Sequence, residues 1–209
     1  MSQVVNETPT LAQVIESTIE NRLCDLHTCL PAKIISYDGN KAVIQPLLRR
    51  KFKDGEIVTL PEIKNVPVAF PRAGKYQITF PLNAGDYGLA FFSERSLDLW
   101  LVNGGTISPE DPRKFDLSDA VFYPGLYDFS KAPIFQNDAM VLSNGAVQIK
   151  LKDSGAIVLK NGTEELIDLV DQLLQAILDA TTNTIFGPLG FNNLPIFDAI
   201  KTKLDTLKE

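Results

Sequence analysis

From Val147 to Lys152 apolar and polar residues alternate without a break: Val147, Ile149 and Leu151 against Gln148, Lys150 and Lys152. The pattern lies within a run of short β-type segments. Ala139-Met140-Val141-Leu142 leads into Asn144-Gly145, Asp153-Ser154-Gly155 turns the chain, and Ile157 and Leu159 precede Asn161-Gly162. Each segment reads as a strand closed by a glycine turn. An isolated small sheet is marginal in water. Its apolar face must therefore meet the rest of the chain or the same segment of other chains, as stacked repeat units do.

Helical spacing follows. Thr163-Glu164-Glu165 offers a cap and acidic first-turn residues, and Leu166, Leu169, Val170, Leu173, Leu174 and Ile177 form an apolar face too broad for a solvent-facing helix. Self-association in a bundle is expected. Phe186-Gly187-Pro188-Leu189-Gly190 breaks this helix, and Pro195 to Lys208 resumes the spacing through Ile196, Phe197, Ile200, Leu204 and Leu207.

The other end of the chain also reads as a helix, capped by Thr8 or Thr10 with Pro9 at a first helical position. Leu11, Val14, Ile15, Ile19, Leu23 and Leu26 form its stripe, expected to be core, and Pro31 ends the pattern. Strands are expected at Lys33–Tyr37, Lys41–Leu48, Ile57–Leu60, Val66–Phe70, Tyr76–Phe80 and Tyr87–Phe92, separated by turn sequences such as Asp38-Gly39-Asn40 and Asn83-Ala84-Gly85-Asp86. Such spacing suits a small closed barrel of the OB type, although periodicity alone does not distinguish it from a sandwich. The division is 1–30 helix, 31–129 barrel, 130–162 strand segment and 163–209 helical segment.

The 209 residues carry a net charge of −6 and a mean hydropathy of +0.01. Acidity argues against a protein whose main partner is nucleic-acid backbone. Apolar runs stay below the roughly 18 residues of a bilayer span, and Met1-Ser2-Gln3 opens no signal-peptide pattern, so folding in the cytoplasm is expected. Cys24, His27 and Cys29 supply three ligands where zinc wants four, so no metal site is assigned, and the cysteines read as reduced thiols buried in or beside a helix. His27, the sole histidine, reads as structural. Acidic pairs at Glu110/Asp111 and Asp116/Asp119 would suit a glycosidase only if they flanked a bound sugar, and solvated loops are expected instead. No enzyme activity, catalytic residue or cofactor is assigned. Leu48-Arg49-Arg50-Lys51-Phe52-Lys53 is the basic run; beside Tyr76 or Tyr87 on an OB barrel it would suit single-stranded nucleic acid, the alternative reading, and otherwise a solvated hairpin tip.

The central block is more specific than its composition. Asp25 to Lys33, Val66-Pro67-Val68-Ala69-Phe70-Pro71, Phe80-Pro81-Leu82, Gly85-Asp86-Tyr87-Gly88 through Ser93-Glu94-Arg95-Ser96 to Trp100, Arg113 to Ala120 and Pro124-Gly125-Leu126 come in order. Over roughly residues 10 to 128 they resemble the N-terminal OB-fold domain of the membrane-piercing central spikes of contractile-tailed phages. The resemblance implies an OB-fold collar and a short trimeric intertwined β-helix or prism; with the helices read from the spacing, the expectation is a mainly β protein with an N-terminal helix and OB-fold barrel, that prism, and a C-terminal α-helical segment. It implies a homotrimer in the virion's tail baseplate, assembled in the host cytoplasm. There it would bind a hub protein at the OB-fold end and meet the host envelope transiently on sheath contraction. Val147, Ile149, Leu151, Ile157 and Leu159 would then face the threefold axis, with Gln148, Lys150 and Lys152 in water, and Leu166, Leu169, Val170, Leu173 and Ile177 would continue the interface. Related spikes often end in an iron-holding His-x-His pair, whereas this chain has no histidine after His27. Three strands at about 4.8 Å each give a prism of about 14 Å, and a helix over 163–180 adds roughly 27 Å. The expectation is a blunt helical apex or a platform for a separate tip protein.

Overall fold

Helix α1 (Leu11–Cys24) opens on a capping box: the Gln13 N–H donates to the Thr10 hydroxyl, and the Thr10 N–H donates to Gln13 Oε1 at 2.8 Å. Pro9 therefore stands ahead of the cap, not in the first turn. The computed structural model describes residues 9–52, 55–190 and 193–205; Thr8, Lys53, Asp54 and Leu207 lie outside them. None of the residues of α1 is buried, so its apolar stripe is not core, contrary to expectation. The helix stops well before Pro31, which lies inside the first strand.

The chain divides into two compact units, Met1–Ala132 and Pro133–Glu209. In the first, α1 is followed by β1 (Cys29–Tyr37), β2 (Lys41–Pro46), β3 (Arg50–Lys51), β4 (Ile57–Val58), β5 (Ile63–Pro67), β6 (Arg72–Ala73), β7 (Tyr76–Gln77), β8 (Tyr87–Phe92), α2 (Asp98–Asn103) and β9 (Ala120–Pro124). Five strands form one antiparallel sheet in the order β5-β2-β1-β8-β9. It curls into a half-barrel whose ends approach: Val68, just past β5, bridges Phe122 of β9 in parallel, and the Ala69 N–H donates to the Phe122 carbonyl at 2.8 Å. Ala32, Ile34, Ala42, Ile44, Val66, Ala90 and Phe122 fill the concave side. Gly88 makes room for this core, because a Cβ there would lie 2.4 Å from the Tyr123 carbonyl and 2.5 Å from the Phe122 ring.

A short helix with no buried residue needs another anchor, and α2 has one in Arg113. The Arg113 guanidinium donates to both oxygens of Asp119 (2.6 and 2.8 Å), to Asp98 at 2.7 Å and to Asp111 at 2.9 Å, while Asp119 also accepts the Leu97 N–H at 2.8 Å. Asp119 is 1% exposed. Its carboxylate, followed by that of Asp98, raises the Arg113 pKa.

The second unit contains β10 (Ala139–Ser143), β11 (Gln148–Lys152), β12 (Ile157–Lys160), α3 (Leu166–Asp179), β13 (Thr181–Thr184), β14 (Gly187–Gly190) and α4 (Leu194–Asp205). β10, β11 and β12 form an antiparallel sheet whose turns use Gly145 and Gly155 at positive φ (90° and 85°), where glycine carries no steric penalty. The N-cap of α3 is Glu165, not Thr163: its carboxylate accepts the Asp168 N–H at 2.8 Å and the Leu159 N–H at 3.1 Å, tying the helix to β12. The expected break at Phe186–Gly190 is half of a hairpin, β13–β14. Among the described residues, no helix is long and apolar enough to cross a membrane.

Asp119→Ala removes the buried acceptor of Arg113 and should destabilise the first unit by about 3–5 kcal/mol. The measurement is the urea midpoint from the fluorescence of Trp100, the chain's one tryptophan, and an unchanged midpoint would contradict the anchoring role. The same assay has an acid limb. The N–H and guanidinium of Arg113 hold the Asp111 carboxyl below its usual range, and the hydroxyl and N–H of Ser118 do so for Asp116. Carboxyls with depressed pKa add stability that is full above an unfolded value of about 4 and lost as pH falls through the folded values. Stability should therefore hold above about pH 4 and decline below it.

Candidate assembly surface

The register of the second unit's sheet sorts its side chains into two faces. Met140, Leu151 and Ile157 pair across the strands, as do Leu142, Ile149 and Leu159. These two rows share one face because alternate residues of a strand point the same way. All six are apolar, and all but half-buried Leu159 are exposed, as is Val147 beside them. The other face carries the row Val141, Lys150, Val158. Here Val158 and Ala156 are buried, and Lys150 is only 8% exposed. Lys150 therefore does not face water as expected. Gln148, Lys150 and Lys160 instead share a polar cleft with Glu165, Asp168 and Gln172 of α3, so the helix covers the lysine-bearing face.

Helix α3 explains the breadth of its apolar pattern by having two apolar faces. At 100° per residue, Ile167, Asp171, Leu174 and Leu178 lie on one side. Ile167 and Leu174 are buried, and Asp171 forms an ion pair with Lys201 of α4, which packs along this helix. Leu174 thus belongs to the chain's own core. Leu166, Leu169, Val170, Leu173 and Ile177 occupy the neighbouring side; Ile177 is half-buried, the others are exposed, and Leu173 is 60% exposed. The spacing 166, 170, 173, 177 is that of a two-heptad seam. Val147, Ile149 and Leu159 of the sheet line one cleft together with Leu166 and Leu169. The ten residues singled out from the sequence thus lie on the sheet's open face and the open side of α3, which meet at this cleft. Met140 and Leu142 were missed, because an unbroken apolar run from Ala139 to Leu142 hides which residues alternate.

Three of the four acidic groups considered for chemistry are engaged elsewhere. Asp111 and Asp119 both bind Arg113, and the Asp116 carboxylate caps the turn at Ser118. The ring of His27 lies 5.6 Å from that of Phe92, its Nδ1 is 3.1 Å from the Asp25 carbonyl oxygen, and the backbone N–H of His27 donates to the Phe115 carbonyl. Contrary to expectation, Cys24 is exposed; Cys29 opens β1 half-buried, and burial pushes its thiol pKa up. Among the described residues, no three His, Cys, Asp or Glu side chains converge as metal ligands. The basic run enters the β3–β4 hairpin, where Arg50 pairs with Asp25 at 3.2 Å and stacks 4.8 Å over Phe52. Tyr87 instead stacks under Lys131, and neither cleft beside Arg50 includes Tyr76 or Tyr87.

The two sheet faces make opposite demands on substitution. Ile149→Asp sits on the open face and should leave the fold of the chain intact while abolishing association through that face, because unpaired carboxylates would be buried together. Lys150→Asp puts a carboxylate beside Glu165 and Asp168 and should destabilise the second unit itself, by about 1–3 kcal/mol. Circular dichroism melts and light scattering of both variants separate these effects. Equal loss of melting temperature in the two would contradict the assignment of faces.

Comparison with known families places residues 30–125 in a match to the model described as phage protein Gp138 N-terminal domain. No curated protein matches the chain. The matched stretch begins at Leu30 in β1 and ends at Gly125, just past β9, so it spans the half-barrel and the Arg113 anchor. The match supports a phage protein with a structural role and a virion-associated location.

Proposed function

We propose that the chain is the central spike of a contractile-tail baseplate, a homotrimer that caps the tail tube and is driven at the host envelope when the sheath contracts. The observation that carries this reading is the open apolar surface formed by the outer face of β10–β12 and the Leu166, Val170, Leu173, Ile177 side of α3, in a chain whose first unit matches a phage protein domain. Three parallel copies would bring the three sheets together as a prism and the three helices together along the two-heptad seam.

The first unit supports an OB-type collar. Its sheet runs β5-β2-β1-β8-β9, and the parallel bridge at Val68 and Phe122 brings β9 back to the end of β5, a connectivity compatible with a five-stranded, partly open Greek-key barrel. The collar binds the hub, and α4 is available to a separate tip protein. The role is mechanical, not enzymatic.

Light scattering of the purified chain at micromolar concentration should give three times 23.1 kDa, and Leu173→Glu should reduce this to the single-chain mass without unfolding. A stable monomer for the unsubstituted chain would contradict the trimer. In purified tail particles, antibody against residues 133–209 should label the distal face of the baseplate, and label confined to the head or sheath would contradict the spike.

A further inference from the structure

Helix α1 lies with its polar side toward its own chain. Ser17, Glu20, Asn21 and Cys24 line a cleft with Arg50, Lys51 and Phe52 of the β3–β4 hairpin, and Asp25, which caps the helix, holds Arg50. Leu11, Val14, Ile15, Ile19 and Leu23 consequently point away, and all are exposed. An amphipathic helix ordinarily turns such a stripe inward, whereas here it is left open.

A second open apolar site lies on the same unit. The Arg113 anchor fixes α2 in a position that leaves Trp100, Leu101 and Val102 exposed, Val102 at 81%. Leu101 and Val102 line a cleft of about 430 Å³ with Pro67 and Ala120; Lys41 and Lys64 supply basic groups at the same cleft, and its one carboxylate, Asp98, is paired with Arg113. A buried ion pair adds little net stability over an apolar replacement but fixes geometry, and the geometry fixed here is that of an exposed apolar platform.

We propose that α1 of one copy seats in the α2 cleft of the next copy. Its stripe covers Leu101 and Val102, and Glu16, which flanks the stripe, approaches Lys41 and Lys64. The occupant is a second copy of this chain because both halves of the contact are present on it, both are open, and their apolar and charged groups complement one another. The two surfaces differ, so the contact runs head to tail, and a head-to-tail contact closes into a ring when its rotation permits. A ring of three adds a collar interface to the one made by the second unit. The inference rests on the trimer reading above and goes beyond it by assigning the contact between collars.

The test uses the full chain with Cys24→Ser and Cys29→Ala, carrying Ile15→Cys, Val102→Cys or both, treated with a short bismaleimide and resolved on a denaturing gel. Both introduced positions are exposed. The double variant should give covalent two-chain and three-chain products, and neither single variant should link. Trimeric mass by light scattering without linked product would overturn the α1 contact and leave the trimer standing. Linking of Ile15→Cys alone would overturn it in favour of α1 helices meeting one another. Monomeric mass would overturn the trimer reading and this contact together.

Discussion

Among the described residues, the three-stranded sheet of the second unit is covered by a helix on one face only, and much of the account follows from that shortage. α3 is tied to β12 through Glu165, and its Ile167 and Leu174 are buried as Val158 and Ala156 are on the sheet. The face bearing Met140, Leu142, Ile149, Leu151, Ile157 and Leu159 is left over. Completing the burial of six half-exposed side chains contributes about 1 kcal/mol each, half the value for a full transfer. Association costs roughly 4–15 kcal/mol in lost freedom of motion. In the proposed trimer the sheet alone would therefore barely offset assembly, and the open side of α3 would supply the surplus. In the proposed trimer the helix is therefore part of the interface rather than a peripheral tail.

The first unit solves a different problem. Its half-barrel has a core of its own, built around Phe122, Ile34 and Ile44 and dependent on Gly88 for the close approach of β8 and β9. Its ion cluster works outside that core. Arg113 joins α2 and the loop bearing Asp111 to the buried Asp119 at the start of β9, so that two segments without buried apolar residues of their own hold one position. Asp111 and Asp119, two of the four carboxylates that could have suggested acid–base chemistry, are engaged in this cross-link.

Much of this was legible in the sequence, for reasons that differ by element. β8 runs from Tyr87 to Phe92 as expected, because the Asn83–Asp86 turn marks its start and a short β-type apolar run follows. β1 begins at Cys29, earlier than expected, since the proline that stops a helix is tolerated in this strand. Period-two spacing showed that Ile149 and Lys150 lie on opposite faces but could not say which face α3 would cover; that depends on Glu165 bonding the Leu159 N–H, a contact no periodicity records. The outward stripe of α1 was misassigned for a related reason, since an amphipathic pattern fixes the existence of an apolar side and not its direction. The β13–β14 hairpin was hidden in a run of glycine, proline and threonine that reads equally as a break.

Electron images of the purified full-length chain test the central claim, that the open apolar surfaces are closed by two further copies. The account predicts particles whose class averages along the assembly axis have threefold symmetry. Dispersed particles of single-chain size, or twofold averages, would contradict it.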